Sequence, residues 1–237
     1  MSLVVGWLDN GTTAGSFTES VTMLCAYEAA QQRLATTIRV LTGPQMSEGR
    51  NELVSRFLST PAEWLLMIDS DMAFSHDAAE KLLKVASAET TPVVGALCFG
   101  INKEFGQFPT VYYFREGIPT VFFDIPDSGL LEVDGTGSAF ILQHRSVFED
   151  NQRPGPHPWY HRLEVQPVGD YPGGVLGEDL SWCWHLRENQ VPIVVNFDVQ
   201  VGHVKQTMVN KQVYDMLREQ NKPKLAIVKG LDGSIPA

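Results

Sequence analysis

The chain has 237 residues, of which 43% are hydrophobic and 19% charged, and this composition is typical of a folded globular protein. Its formal net charge of −10 excludes a general nucleic-acid binder, because a polyphosphate backbone would be repelled. No run approaches the ~18 apolar residues of a membrane span, and the first residues lack the basic region of a signal peptide. Three cysteines without a C-x-x-C pair indicate reduced thiols, so we expect a cytoplasmic protein.

Short apolar runs alternate with helical patterns through residues 1–98. Strands are predicted at residues 3–8, 37–41, 64–68 and 92–98, and helices from residue 17 or 18, at 47–58 and at 76–87. Residues 64–68 are apolar at every position, as in a strand that is covered on both faces. This alternation predicts an α/β fold with a largely parallel sheet and helices on both of its faces.

The second half of the chain has a different pattern. Residues 100–142 are aromatic and rich in β-forming residues, with a strand predicted at 138–142 and a short helix at 145–149. The many Pro, Gly and His residues of 153–174 predict a long loop. A helix at 177–188, short strands at 192–195 and 199–201 and a helix at 207–220 follow. We expect one domain over residues 1–205, then a C-terminal helix and tail at 206–237.

Two carboxylates follow the apolar strand directly, in Asp69-Ser70-Asp71. Ligands of open α/β sheets bind beyond the carboxyl ends of the strands. Clustered carboxylates there are costly without a cation, and their oxygens suit Mg²⁺ or Mn²⁺, which can also hold a diphosphate. The alternative is a solvated turn in which Asp71 or Ser75 caps the next helix.

A second acidic pair opens the predicted helix after the long loop, in Gly177-Glu178-Asp179. The helix dipole alone favours carboxylates in a first turn. A carboxylate beside a glycine-rich loop can also take a proton from an attacking hydroxyl. The spacing leaves both interpretations open.

Two further features carry candidate ligands. His203 follows a short strand, where it is either structural or an additional ligand for Mn²⁺, and Lys205 could neutralise a phosphate. Arg50 and Asn51 lie near the start of the second helix, a place for an anion or a base edge, or for an ordinary surface arginine. The sequence has no P-loop, no G-x-G-x-x-G after the first strand and no G-x-S-x-G elbow.

Five stretches within residues 1–205 together carry a family resemblance: Gly49-Arg50-Asn51, residues 64–72, 134–140, 177–188 and 199–203. The ordered set resembles the GT-A nucleotide-sugar glycosyltransferases, especially the small family-2-like enzymes of bacteria and their phages. The resemblance implies a three-layer α/β/α domain with a central mixed, mostly parallel sheet. It also implies a Rossmann-like half at 1–100 that binds a nucleotide-sugar, and a catalytic, acceptor-binding half at 101–205.

The resemblance further implies roles for single residues. Asp71 and His203 would bind Mn²⁺ or Mg²⁺, and Asp69 would face the ribose or the metal waters. Asp179 matches the general base of inverting members, with Glu178 beside it. The residues implied in binding a UDP- or GDP-sugar are Trp7, Asp9, Arg50, Asn51, Asp69, Ser70, Gly135, Thr136, Gly137 and Lys205.

The expected function is therefore metal-dependent transfer of a sugar from a nucleoside-diphosphate sugar to an acceptor hydroxyl, in a bacterium or a phage-infected cell. A glycan, a protein and a small molecule stay open as acceptors, and inversion at Asp179 is favoured over retention. The loop aromatics Trp159, Tyr160 and Tyr171 form a lid, an acceptor platform or a buried cluster. Two alternatives are a nucleotidyltransferase and a non-catalytic nucleotide-sugar-binding module. A nucleotidyltransferase would require a basic pyrophosphate loop after the first strand, but residues 9–16 contain no Lys or Arg.

Overall fold

A computed structural model describes residues 1–102, 106–115, 118–167, 173–205 and 211. The helices in these ranges are α1 (Gly15–Ala30), α2 (Met46–Leu58), α3 (Ala78–Leu83), α4 (Arg145–Asp150) and α5 (Glu178–Glu188). The strands are β1 (Leu3–Asp9), β2 (Leu34–Leu41), β3 (Trp64–Asp69), β4 (Met72–Ala73), β5 (Val93–Leu97), β6 (Phe99–Asn102), β7 (Gly106–Pro109), β8 (Val111–Arg115), β9 (Ile118–Val121), β10 (Leu130–Val133), β11 (Gly135–Thr136), β12 (Phe140–His144), β13 (Leu163–Val165), β14 (Gly174–Leu176), β15 (Ile193–Gln200) and β16 (Gly202–His203).

A seven-stranded sheet forms the centre of the fold, in the order β10-β15-β5-β12-β3-β1-β2. Strand β1 pairs in parallel with both β2 and β3, and β15 pairs in parallel with β5. Strands β12 and β10 run in the opposite direction to their neighbours. The predicted mixed, mostly parallel sheet is thereby confirmed.

Both faces of the sheet are covered, and β3 shows why. Its side chains alternate between two hydrophobic clusters: Leu65 and Met67 belong to one, and Leu66 and Ile68 to the other. The first cluster includes buried residues of α2, α4 and α5, and the second includes buried residues of α1 and α3. A strand that buries side chains on both faces has to be apolar throughout, which is the pattern seen in the sequence.

Several predicted boundaries differ from the structure. The helix predicted at 76–87 is shorter, Ala78–Leu83, and a turn and then a bridge between Ser87 and Thr91 follow it. The strands predicted at 192–195 and 199–201 are one strand, β15, whose register with β5 shifts after Asn196. The loop predicted at 153–174 contains β13, which pairs with β14. The predicted helix at 207–220 lies almost wholly outside the described residues.

The chain divides into two compact units, Met1–Val204 and Lys205–Ala237. All the strands and helices named above belong to the first unit. None of the helices in the described ranges combines the length and the apolar character that crossing a membrane requires. Within the first unit, strand pairing sets β1 and β3 side by side with Leu8 opposite Asp69, so both strands end at the same sheet edge.

Candidate active site

The Asp69-Ser70-Asp71 turn is fixed by backbone contacts at the carboxyl end of β3. The Ser70 carbonyl accepts a hydrogen bond of 3.2 Å from the Ala14 N–H, and the Asp71 carbonyl accepts one of 2.8 Å from Val204. The short strand β4 follows the turn and pairs with β16, with Met72 opposite His203. This small ladder brings a histidine from near residue 200 to the acidic turn.

Asp71 and His203 are in direct contact. His203 Nε2 lies 3.0 Å from Asp71 Oδ2, and its Nδ1 lies 2.8 Å from the Phe99 carbonyl oxygen. A carbonyl oxygen only accepts, so Nδ1 carries a proton that orients the ring, as second-shell carbonyls orient metal-binding histidines. Nε2 therefore faces a carboxylate oxygen of Asp71.

The chemistry of this pair fits a small divalent cation. An imidazole nitrogen and a carboxylate oxygen are both ligands that Mn²⁺ accepts, and the 3.0 Å between them is also the length of a direct hydrogen bond. In the described ranges of the chain, no group of three or more His, Cys, Asp and Glu side chains is arranged to hold a metal. Mg²⁺ commonly takes only one or two protein ligands and completes its shell with water and substrate phosphates.

Arg50 is the central cation of the site. Its side chain is 4% exposed, and Nη1 donates to Glu178 Oε1 at 2.8 Å while Nη2 donates to Asp69 Oδ1 at 3.1 Å. The guanidinium lies 5.7 Å from the centre of the Tyr160 ring. Burial opposes its charge, but Asp69, Asp179 and Glu178 together hold the pKa of Arg50 above its ordinary value. The interpretation of Arg50 as an ordinary surface arginine is thus wrong.

Asp179 lies beside this ion-pair network at the start of α5. Its Oδ1 accepts a hydrogen bond of 2.8 Å from the Leu180 N–H. Burial raises the pKa of the Asp179 carboxyl, the nearby Arg50 lowers it, and the Glu178 charge raises it again. The net result is a raised pKa, which makes this carboxylate a stronger base than an exposed aspartate.

The Gly135-Thr136-Gly137 stretch lies next to α5. A Cβ on Gly137 would be 3.8 Å from Asp179 Oδ2, an ordinary contact distance, so this glycine lies directly beside the carboxylate. The Thr136 hydroxyl is buried and donates to the Thr110 carbonyl at 2.9 Å. A Cβ on Gly135 would be 3.3 Å from Cys183 of α5, which gives that glycine a packing role.

Asn51 holds the loop that follows α4. Its Oδ1 accepts from the backbone N–H groups of Trp159 and Tyr160 at 3.0 and 3.2 Å, and its Nδ2 donates to the Tyr160 carbonyl at 2.6 Å. A further bond to the Ser47 carbonyl uses the second amide proton. With its polar atoms engaged in this way, Asn51 anchors the loop, and its contact with a nucleotide stays a prediction.

The loop aromatics Trp159 and Tyr160 are buried, at 6% and 0% exposure. Burial contradicts a role for them as a lid or a sugar platform and agrees with the alternative of a buried loop cluster. Tyr171 lies outside the described residues. Tyr160 instead supplies the ring against which Arg50 packs, a contact that no local pattern in the sequence indicates.

The end of β1 carries the remaining predicted donor residues of the first unit. Asp9 is buried and accepts from Arg39 Nε at 2.6 Å and from the Gly11 N–H at 2.8 Å. The Arg39 hydrogen bond, more than any other contact, keeps the pKa of Asp9 below its usual value. Trp7 is half-buried, with its ring edge-on to Phe17 at 6.0 Å. Lys205 belongs to the second unit, and its contact with a diphosphate stays a prediction.

Comparisons with known proteins agree with this fold. No family model matches the chain, and no curated protein matches its sequence. The crystal structure of A197 from STIV is similar with a TM-score of 0.55 and 16% identity, over 87% of each chain. GalNAc-T7 with UDP, GalNAc and Mn²⁺ is similar with a TM-score of 0.57 and 9% identity, over 86% of this chain and 44% of that one.

These likenesses concern the fold alone, because the identities are low. At that level they confirm the predicted resemblance: the chain has the α/β fold of GT-A-like glycosyltransferases. The chain spans less than half the length of the GalNAc-T7 chain that it matches. What the protein does must therefore be argued from its own site.

Proposed function

We propose that this protein is a metal-dependent glycosyltransferase that moves a sugar from a UDP- or GDP-sugar to an acceptor hydroxyl, with inversion. One observation carries the proposal. The Asp69–Asp71 turn, His203 and the Glu178–Asp179 pair, which are far apart in sequence, meet at one sheet edge, with Arg50 bonded to Asp69 and Glu178. Such an edge combines candidate metal ligands with a basic carboxylate, and glycosyl transfer needs both.

Asp71 and His203 are the proposed metal ligands, with Asp69 beside them. A bound Mn²⁺ or Mg²⁺ would neutralise the charge that develops on the departing diphosphate. The structure of GalNAc-T7, which has a similar fold, contains UDP and Mn²⁺, and this supports a nucleotide and a divalent cation as the groups that bind here. The donor's nucleoside would lie by Trp7 and Asp9 at the end of β1, in line with the usual position of ligands at the carboxyl edge of such sheets.

Asp179 is the proposed general base. As the acceptor oxygen forms its bond to the anomeric carbon, the bond from that carbon to the diphosphate oxygen breaks, and the diphosphate leaves with the electron pair. The acceptor proton passes to Asp179. The raised pKa of Asp179 strengthens it as a base, while Arg50 favours its ionised form.

The donor site is tested by thermal unfolding with UDP, GDP and their sugars, each with Mn²⁺, Mg²⁺ or EDTA. A ligand at a hundredfold excess over its Kd adds about 2.7 kcal/mol of stability, a clear shift in Tm. We expect one nucleoside diphosphate to shift the Tm, and we expect EDTA to abolish that shift. No shift with any nucleotide in the presence of either metal would overturn the proposal.

The reaction is tested by following the anomeric proton of the donor sugar by NMR in the presence of candidate acceptors. Transfer with inversion is expected, and Asp179→Asn should stop it while it leaves nucleotide binding intact. Normal turnover by Asp179→Asn would remove the base assignment. Release of pyrophosphate from a nucleoside triphosphate and a sugar phosphate would instead identify a nucleotidyltransferase.

A further inference from the structure

A cluster of basic side chains lies on the segment that joins α4 to β13. Residues 153–162 read Arg-Pro-Gly-Pro-His-Pro-Trp-Tyr-His-Arg, with two arginines, two histidines and no acidic residue. The whole chain has 28 Asp and Glu against 18 Lys and Arg. An acidic protein that gathers basic groups on ten consecutive residues creates a local attraction for anions.

This basic segment is held in place by backbone contacts. The Arg153 N–H donates to the Pro158 carbonyl at 2.8 Å, and the Arg153 guanidinium donates to the Trp159 carbonyl. Trp159 Nε1 donates to the Phe148 carbonyl at 2.9 Å, and Asn51 anchors the backbone of the same tryptophan. Three prolines in the segment fix their own φ angles. The segment is thus preorganised, which reduces the entropy lost when a ligand binds.

The basic segment forms an open pocket of about 140 Å³ that is lined by Arg153, Pro154, Pro156, His157 and His161. None of the described residues that line it carries a carboxylate. Arg153 Nε and His157 Nδ1 are buried atoms that find no hydrogen-bond partner among the residues that the structure describes. Buried polar atoms are normally satisfied, and these two belong to residues that line the same small pocket. Because neither atom is exposed, each side chain has to turn before a polar ligand in the pocket can bond to it.

The charges around the pocket point to an anion. Burial lowers the pKa of Arg153 to about 10, and no carboxylate counteracts that effect. Burial is also the largest of the effects that lower the pKa of His161, and the charges of Arg153, His185 and His157 lower it further. Because a lowered pKa favours the neutral imidazole, the positive charge at the pocket is that of Arg153, for which an oxyanion would supply both the counter-charge and the acceptor atoms.

The pocket adjoins the candidate active site. His157 also lines a larger cavity of about 460 Å³ together with Arg162 and two carboxylates, Glu48 and Glu178. Glu178 precedes the proposed base Asp179 and is bonded to Arg50. A cavity of this size suits a sugar-sized ligand. A molecule in the larger cavity would thus contact both His157 of the basic pocket and Glu178, the neighbour of the proposed base.

We propose that the pocket at Arg153, His157 and His161 binds a carboxylate or phosphate group of the acceptor, so that the acceptor is an acidic sugar derivative. The identification of the bound molecule as the acceptor rests on the proposed function, whereas the anion pocket itself does not. The two possible groups share one chemistry, a planar or tetrahedral oxyanion with several acceptor oxygens.

The experiment uses three soluble probes: glucuronate, glucose 6-phosphate and uncharged glucose. Binding to the full chain is followed through the imidazole NMR signals of His157 and His161. We expect at least one charged probe to bind ten times more tightly than glucose and to shift these signals. The two charged probes separate a carboxylate site from a phosphate site.

His157→Gln should abolish this preference, and His76→Gln, at an exposed histidine, is the matched control that should retain it. Arg153→Gln, checked for folding by circular dichroism, is a second variant with the same expected loss. Equal binding of all three probes, or an unchanged preference in both pocket variants, would overturn the inference. Charged-probe binding without any nucleotide binding would leave the anion pocket standing and remove the proposed function.

Discussion

Replacing Arg50 with methionine is expected to lower the free energy of unfolding by about 3–5 kcal/mol, because removing one partner of a buried ion pair leaves the other charge uncompensated. The Arg50 side chain is 4% exposed, and its partners Asp69 and Glu178 are 22% and 17% exposed. Methionine preserves much of the apolar stem, so the loss reports mainly the charge. In a domain of this size the Tm should fall by about 6–20 °C.

Arg56 provides a matched control in the same helix. It pairs with Glu52, and the two side chains are 52% and 50% exposed. An exposed pair four residues apart on a helix contributes about 0.3–0.5 kcal/mol. Arg56→Met should therefore change the Tm by less than about 2 °C, measured by the same calorimetric scan.

Two further measurements test whether charge causes the loss. Adding Glu178→Gln to the Arg50→Met variant should restore part of the stability, because one of the uncompensated carboxylates is removed. Without Arg50 the pKa of Asp179 should rise further, since Arg50 lowers it in the native protein. The deficit of Arg50→Met should then shrink as the pH falls and Asp179 takes up its proton. A loss below about 1 kcal/mol at pH 7, or one that neither Glu178→Gln nor pH alters, would refute this reasoning.

Three other substitutions have expected outcomes. Asp71→Ala should abolish the metal-dependent Tm shift with nucleotide, worth about 2.7 kcal/mol at a hundredfold excess over Kd, and a retained shift would exclude Asp71 as a ligand. Asp179→Asn should raise the free energy of unfolding by about 1 kcal/mol, measured with urea at pH 7. Because the pKa of Asp179 is raised in the folded protein, the protein loses stability as the pH rises toward that pKa and the carboxyl ionises. Asparagine does not ionise, so the variant avoids this loss. Lower stability of Asp179→Asn would contradict this. Asn51→Ala should lower the free energy of unfolding by about 3 kcal/mol, because buried backbone groups of Trp159 and Tyr160 lose their partners. The substitution should also expose residues 153–158 to proteolysis. Unchanged proteolysis would argue against Asn51 as the anchor.

The sequence by itself determined the local features of the fold. The apolar run at 64–68 predicted a central strand, because a strand buried on both faces needs apolar residues at every position. The carboxylates that follow it had to lie at the sheet edge, and Glu178 and Asp179 had to open a helix. These features follow from side-chain periodicity and from short-range backbone preferences, which neighbouring residues encode.

The tertiary structure alone decided which of these residues meet. His203 reaches Asp71 across 132 positions, Arg50 reaches Glu178 across 128, and Asn51 reaches Tyr160 across 109. Such contacts depend on strand order and register, for example on the insertion of β12 antiparallel between β3 and β5. Periodicity tells which face of an element is buried but not which element covers it. The burial of Arg50 and its ion pairs with Asp69 and Glu178 are therefore visible only in the tertiary structure.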